Sequence, residues 1–392
     1  KTMKQNTTYK QTELGLIPED WEVKKLGELG FFFKGKGVPK TSIETEGKYK
    51  CLTYGDLYTK YDYVIKNVKS FINDASDSQE INFGDICIAG SGETIEDIGK
   101  CAVFIDDKTG YAGGDIIIFR SDENPLTLSY ILNSDLCKRQ KYRLGQGHSV
   151  VHIYSSQLQN LKIPLPPLPE QKKIADCLST WDSAIEKQSQ LINALTQRKK
   201  ALMQQLLTGK KRLPGFSDEW KEVKLGENSN KKSSTLQANS LEENNGEFKV
   251  YGASGIVANI DFYNESEEYI GIVKDGSGVG NLMLCDAKSS VLGTLDIIKN
   301  NKKSNLFFIY LILSKIHFEK YKVGGAIPHI YYRDYSREKI NIPSLSEQTA
   351  IAAILATADR ELTLQKEKLA QLQQQKKGLM QVLLTGKKRL IN

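Results

Sequence analysis

The chain is short of the residues from which catalytic and metal centres are usually assembled. Its 392 residues include four histidines (His148, His152, His317, His329), six cysteines and three tryptophans. No Cys-x-x-Cys pair, zinc-ligand spacing or Glu-x-x-His cluster occurs, so no metal site is expected. No Walker pair is present, nor the Asn-Pro-Pro-Tyr-type tetrapeptide of an adenine methyltransferase. Gly99-Lys100 runs into Cys101 without the earlier glycine of a phosphate loop, and Gly276 to Gly280 lacks the spacing of a dinucleotide turn. Glu22-Val23-Lys24 fits half of a nuclease motif, but no carboxylate precedes it at useful spacing. Catalysis is not expected of this chain, and neither is a cofactor. Cys51, Cys87, Cys101, Cys137, Cys177 and Cys285 stand mostly among apolar neighbours, which suits reduced thiols in a cytoplasmic protein. No signal-peptide pattern is read, and no apolar run is long enough to cross a membrane.

What is present is a repeat. Residues 168–213 recur without a gap as residues 345–390, at a constant shift of 177, with roughly half of the positions identical. Both copies open on a Glu-Gln pair (Glu170-Gln171, Glu347-Gln348). Both close on Leu-Leu-Thr-Gly-Lys-Lys-Arg-Leu, at 206–213 and 383–390. Apolar side chains fall in alternating steps of four and three at Ile174, Leu178, Trp181, Ile185, Ile192, Leu195, Leu202 and Leu206. The second copy matches in register with Ile351, Leu355, Ala358, Leu362, Leu369, Leu372, Leu379 and Leu383. This 3.5-residue period specifies the seam of a long helix packed on another helix, and the two copies are natural partners. Gln188, Gln365, Lys199 and Lys376 interrupt the seam at matching places. Such residues fix register or are merely tolerated near solvent. Prolines at 164, 166, 167, 169 and 343 mark the helix starts, and Gly209 and Gly386 sit where a left-handed residue would end each helix. From Ile174 to Leu206 the seam is about 50 Å long at 1.5 Å per residue, the length of a spacer.

Four segments follow: 1–163, 164–213, 214–342 and 343–392. The first and third have the size of ordinary domains. Their openings correspond around Trp21 and Trp220, each followed by Leu-Gly-Glu, and their closings around His152-Ile153-Tyr154 and His329-Ile330-Tyr331. Their middles barely align. Short apolar runs at 85–89, 101–105, 115–119 and 269–273, bounded by Gly and Asp, read as buried strands. Helices are expected at 126–142 and 306–321. The heads are therefore α/β, close to α+β, with irregular sheets.

Net charge is +7, a modest excess. Residues 1–167 carry 21 Lys+Arg against 22 Asp+Glu, residues 214–344 carry 16 against 17, and the helical segments carry 9 against 4 and 8 against 4. Each head is thus −1, and any nucleic-acid affinity must come from local patches and partner subunits. The best patch in the first head comprises Lys138, Arg139, Lys141, Tyr142, Arg143, Gln146 and His148. Its counterpart in the second comprises Lys315, His317, Lys320, Lys322, Tyr332 and Arg333. These residues offer phosphate donors and groups that can reach base edges; the bland alternative is a solvated helix end. Two glycine-rich loops are further candidates, with Ser91, Glu93 and Thr94 in one and Lys274 and Ser277 in the other, although simple hairpin turns explain them as well. The matched His152 and His329 read as packed structural residues.

The duplicated helix start at 167–171 and 343–348, the duplicated Leu-Leu-Thr-Gly-Lys close and the Trp-led domain openings resemble the specificity subunit of a type I restriction-modification enzyme. The resemblance covers essentially the whole chain, Ser344 and Ser346 replacing prolines in the second copy. It implies two target-recognition domains held apart by an antiparallel coiled coil, each reading one half of a split site in double-stranded DNA. It also implies two methyltransferase subunits docked on the helices, restriction/translocase subunits beyond them, and S-adenosylmethionine, ATP and magnesium on those partners. Divergent interiors predict two unrelated half-sites. The competing expectation is a noncatalytic protein scaffold that reads no bases, which the charge of the heads favours.

Overall fold

The computed structural model describes residues 8–147, 150–241 and 246–391. It divides into two compact units, residues 1–188 with 368–392 and residues 189–367. Both long helices form, over Leu168–Leu206 and Leu345–Leu383, each 39 residues. Each unit therefore holds one head and a stretch of both helices.

The seam positions behave as their spacing predicts. Ile174, Leu178, Leu206, Ile351, Leu355, Leu362 and Leu383 are buried, and the other seam residues are half-buried. Leu191 and Leu364, off the seam within the helices, stay exposed at 43% and 54%. In the first unit Ile174 and Leu178 share a core with Met380, Leu383 and Leu384. In the second, Leu206 and Leu207 share one with Ile351, Ala352 and Leu355. In both units one helix segment ascends as the other descends, so the two run antiparallel.

The first head contains a five-stranded sheet in the order Gly30–Lys34, Ile116–Ser121, Ile86–Ala89, Cys101–Phe104, Val64–Ile65, and a four-stranded sheet in the order Phe71–Ile72, Tyr49–Leu52, Gly110–Ala112, Gln79–Ile81. Most pairs are antiparallel; the pairings of Val64–Ile65 with Cys101–Phe104 and of Tyr49–Leu52 with Gly110–Ala112 are parallel. The second head contains an antiparallel four-stranded sheet in the order Ser229–Ser233, Leu295–Asn300, Tyr269–Val273, Leu282–Cys285, and a three-stranded sheet around Phe248–Gly252. Each head is sewn shut where it joins the helices. Glu22–Lys25 pairs with Lys162–Leu165, and Lys221–Lys224 pairs with Lys339–Ile342, so the chain leaves each head beside its point of arrival.

The single helices expected at 126–142 and 306–321 are corrected to two elements each. In the first head Pro125–Leu132 and Asp135–Leu144 are separate helices. Asn133 turns from the helix to the neighbouring strand, its amide donating to the Cys101 carbonyl at 2.7 Å and accepting from the Cys101 N–H at 3.2 Å, and Ser134 caps the next helix. In the second head Leu306–Leu313 ends at Ser314, and Phe318–Tyr321 follows as a 3-10 turn. A helical period persists through both breaks, but side-chain competition for backbone groups ends the helix.

Candidate nucleic-acid interface

The repeated motifs first serve as locks between helix and head. In the first unit Glu170 accepts from the indole N–H of Trp21 at 2.9 Å and from Arg389, whose guanidinium lies over the Trp21 ring. In the second unit Glu347 receives both arms of Arg212 at 2.8 Å, and Arg212 lies over Trp220. Gln171 accepts from the N–H of Asn124, the cap residue of Pro125–Leu132, and Gln348 accepts from that of Asn305, the cap of Leu306–Leu313, both at 3.0 Å. The Glu-Gln pair at each helix start thus fixes the head to the scaffold. At the far end Gly209 and Gly386 have φ of 68° and 69°, as expected of left-handed closing residues. A Cβ on Gly386 would fall 2.3 Å from Pro18.

The polar residues in the seam form a second matched pair. Lys376 binds Asp182 in the first unit and Lys199 binds Asp359 in the second. Lys376 is only 4% exposed, beneath the rings of Tyr63 and Tyr130, and burial pushes its ammonium below the ordinary lysine range against the pull of Asp182. Gln188 is buried as well.

In both heads the glycine loop is tied to the loop that follows the basic helix or turn. His152 Nδ1 lies 2.9 Å from the Ser91 hydroxyl, and His329 Nδ1 lies 2.6 Å from Asp275. The neighbouring backbone repeats the tie: Ile153 N–H donates to Gly90 at 2.9 Å and Ile330 N–H to Lys274 at 3.0 Å. Bridges Gln146 to His152 and Val323 to His329 close the second loop identically. The two histidines are therefore loop ties, and the correspondence at the 177-residue shift was the sequence signal for it. On the same surface stand exposed side chains that residue chemistry alone did not single out, Val150 and Tyr154 in the first head and Ile327 in the second, the last beside exposed Tyr331, which belongs with the second head's patch in sequence.

The candidate residues divide. Lys141 is corrected to a structural role: it is 2% exposed, its ammonium donates to the Gly99 carbonyl, and burial lowers its pKa. Ser91, 1% exposed and bound to His152, is likewise no surface contact. Both face inward because helix and loop are anchored through them. Lys138, Arg139 and Arg143 line a groove of about 840 Å³ shared with Asp182, Lys376 and Lys377 of the helices. Gln146, Glu93 and Thr94 are exposed, Tyr142 is half-buried, and Thr94 donates to Asp97 at 3.0 Å. Exposed Glu93, Glu96 and Asp97 give this glycine loop the sign of phosphate, which suits acceptance from base amino groups better than backbone contact. His148 lies outside the described residues. In the second head Lys320 is held by Glu338, Lys322 by Glu319 at 2.5 Å, Lys274 by buried Asp296, and the Tyr332 hydroxyl donates to the Ser229 carbonyl at 2.8 Å. Lys315, His317, Ser277 and Arg333 remain exposed, Arg333 stacked on Tyr331. Among the described residues no cluster of three or more His, Cys, Asp or Glu is placed to hold a metal, and no helix is long and apolar enough to cross a membrane. The six cysteines are free thiols.

Duplicated helix locks carrying two dissimilar α/β heads, each with the same loop tie, define a two-headed scaffold. The family model for the type I restriction modification DNA specificity domain matches twice, over residues 18–197 and 217–374, and the chain belongs to that family. It is 31% identical to a putative type I restriction enzyme MjaX specificity subunit of Methanocaldococcus jannaschii, covering 97% of both chains. It is 27% identical to the MjaVIII specificity subunit of the same organism, covering 96% of this chain and 95% of that one. The fold is similar to the crystal structure of a type I restriction-modification S subunit from M. genitalium, with TM-score 0.68 and 20% identity over 98% of each chain.

Proposed function

We propose that this chain is the noncatalytic DNA-reading subunit of a type I restriction-modification complex, each head reading one half of an asymmetric split site. The long helices set the spacing between half-sites and dock two methyltransferase subunits, with restriction/translocase subunits joining the assembly. S-adenosylmethionine, ATP and magnesium belong to those partners. The observation that carries this reading is the contrast within the repeat: Glu170, Asp182, Arg389 and His152 have counterparts in Glu347, Asp359, Arg212 and His329 that make corresponding ties, while the sheets and glycine loops between them differ. A scaffold that only joined proteins would have no use for two different heads on one frame. Affinity is expected to be weak for the isolated chain, since each head is −1. Exchanging residues 1–163 for the first head of another family member and sequencing the methylated sites tests the reading. One new half-site beside one unchanged half-site is expected; no defined motif in either protein would leave only the scaffold role.

A further inference from the structure

The two heads have diverged in their sheets and glycine loops, yet both expose the same apolar feature at the same place. In the first head Val150 is 45% exposed and Tyr154 53%; in the second Ile327 is 61% and Tyr331 46%. Each aliphatic residue follows a glycine by three positions, and that glycine is indispensable to the fold of the loop. Gly147 has φ of 128°, and a Cβ on it would fall 2.0 Å from the Val150 carbonyl oxygen. Gly324 has φ of 90°, and a Cβ on it would fall 2.7 Å from the Ile327 carbonyl oxygen. The loop is anchored behind by the histidine tie, Ser91 to His152 or Asp275 to His329, and the tyrosine stands next to it: the rings of His152 and Tyr154 are stacked with centroids 6.4 Å apart. In the second head Arg333 covers the Tyr331 ring at 5.0 Å, so a cation flanks the apolar tip there.

Residues that differ between the heads can read different bases; residues that are the same suit what both half-sites share. Two unrelated half-sites share only their backbones and the faces of their stacked bases. Aliphatic and aromatic side chains meet base faces, whereas the flanking arginine suits phosphate. We propose that Val150 with Tyr154, and Ile327 with Tyr331, form equivalent sequence-independent wedges that press on the base stack of their own half-site. This rests on the reading of the heads as DNA-binding modules.

The test uses the complex with its methyltransferase and duplexes carrying the motif read from wild-type methylated sites, with 2-aminopurine in one half-site or the other. Ile327→Ser and Tyr331→Ala should each weaken binding by roughly tenfold, the order of one lost stacking contact. They should abolish the 2-aminopurine fluorescence rise in the half-site of the second head alone and leave the methylated motif unchanged. Val150→Ser and Tyr154→Ala should do the same in the other half-site, and Ile327→Leu should behave as wild type. A changed motif would overturn the proposal by making these residues base-edge readers. Failure of Ile327→Ser to assemble with the methyltransferase in the absence of DNA would overturn it by making the tip a protein contact. Unchanged binding and fluorescence would also overturn it. A wild-type complex that methylates no split motif would instead remove the DNA-reading function itself, a separate result.

Discussion

Arg389 clamps Glu170 through Nε to Oε1 and Nη2 to Oε2, both at 2.8 Å, joining the close of the second long helix to the first turn of the first. The guanidinium also reaches Asp20 at 2.7 and 2.9 Å, and holds that carboxyl below its ordinary range through hydrogen bonding. Arg389 and Glu170 have side chains only 7% and 2% exposed, so the pair is a buried one. Removing one member strands a charge, whereas replacing both with apolar groups removes the desolvation penalty as well.

Arg389→Ala should therefore destabilise the first unit by about 3–5 kcal/mol. The double replacement Arg389→Met with Glu170→Met should recover much of that loss. Urea unfolding of the two proteins decides it; a double variant no more stable than Arg389→Ala would show that the lock works by shape and hydrogen bonds to Trp21 instead of by charge pairing.

The seam pair Lys376 and Asp182 should respond unequally. Lys376 has a side chain 6% exposed and pairs directly with Asp182, whereas Asp182 is 29% exposed and also accepts from the Tyr130 hydroxyl. Asp182→Asn leaves a buried ammonium and should cost about 3 kcal/mol or more. Lys376→Met fills the same seam position with an apolar stem and should cost less than half as much. Equal losses in thermal or denaturant unfolding would mean the pair contributes through mutual attraction alone.

Acid should unfasten the first head at Asp106. Burial favours its neutral form, but hydrogen bonds from Lys50 and from the Val68 N–H at 2.9 Å prevail and hold its carboxyl down to about 2, against 3.8 unperturbed. A lowered folded-state value contributes stability that is complete above the unfolded value and fades as pH falls through the folded one. That contribution is about 2 kcal/mol. Asp106→Asn should lower stability at neutral pH and flatten its decline between about pH 4 and pH 2. Stability curves for the two proteins converging near pH 2 is the expected result; parallel curves across that range would be the contrary one.

How much of this was legible in the sequence depends on what repeats. The seam spacing and the Gly209 and Gly386 closures were readable because a 3.5-residue period and a left-handed turn are local properties of the chain. The roles of Glu170, Gln171 and Arg389 were visible only as repetition: their partners lie 149, 47 and 219 residues away at Trp21, Asn124 and Glu170. The broken helix at Asn133 escaped because its hydrogen bonds go to Cys101, 32 residues back, and spacing alone cannot show such a competitor. Lys141 was misread for a similar reason. On a basic helix it resembles its neighbours, but it alone points at Gly99. Tyr154 and Ile327 carry no chemistry that marks them before their exposure is known.

The difference between Lys141 and Arg143 gives the sharpest test of the first head's charged face. The two lie two residues apart on Asp135–Leu144, yet Lys141 is buried against Gly99 and Arg143 is exposed on the groove. If the helix meets phosphate, Arg143→Ala in the assembled complex should weaken DNA binding about equally for target and unrelated sequence, and reduce the slope of log affinity against log salt by about 1. Lys141→Met should leave that slope unchanged and act on stability instead, since its ammonium never faces solvent. Binding isotherms at several salt concentrations separate the two. A slope reduced by Lys141→Met and not by Arg143→Ala would place the DNA-facing side of this helix on the face of Lys141, opposite to that of Arg143.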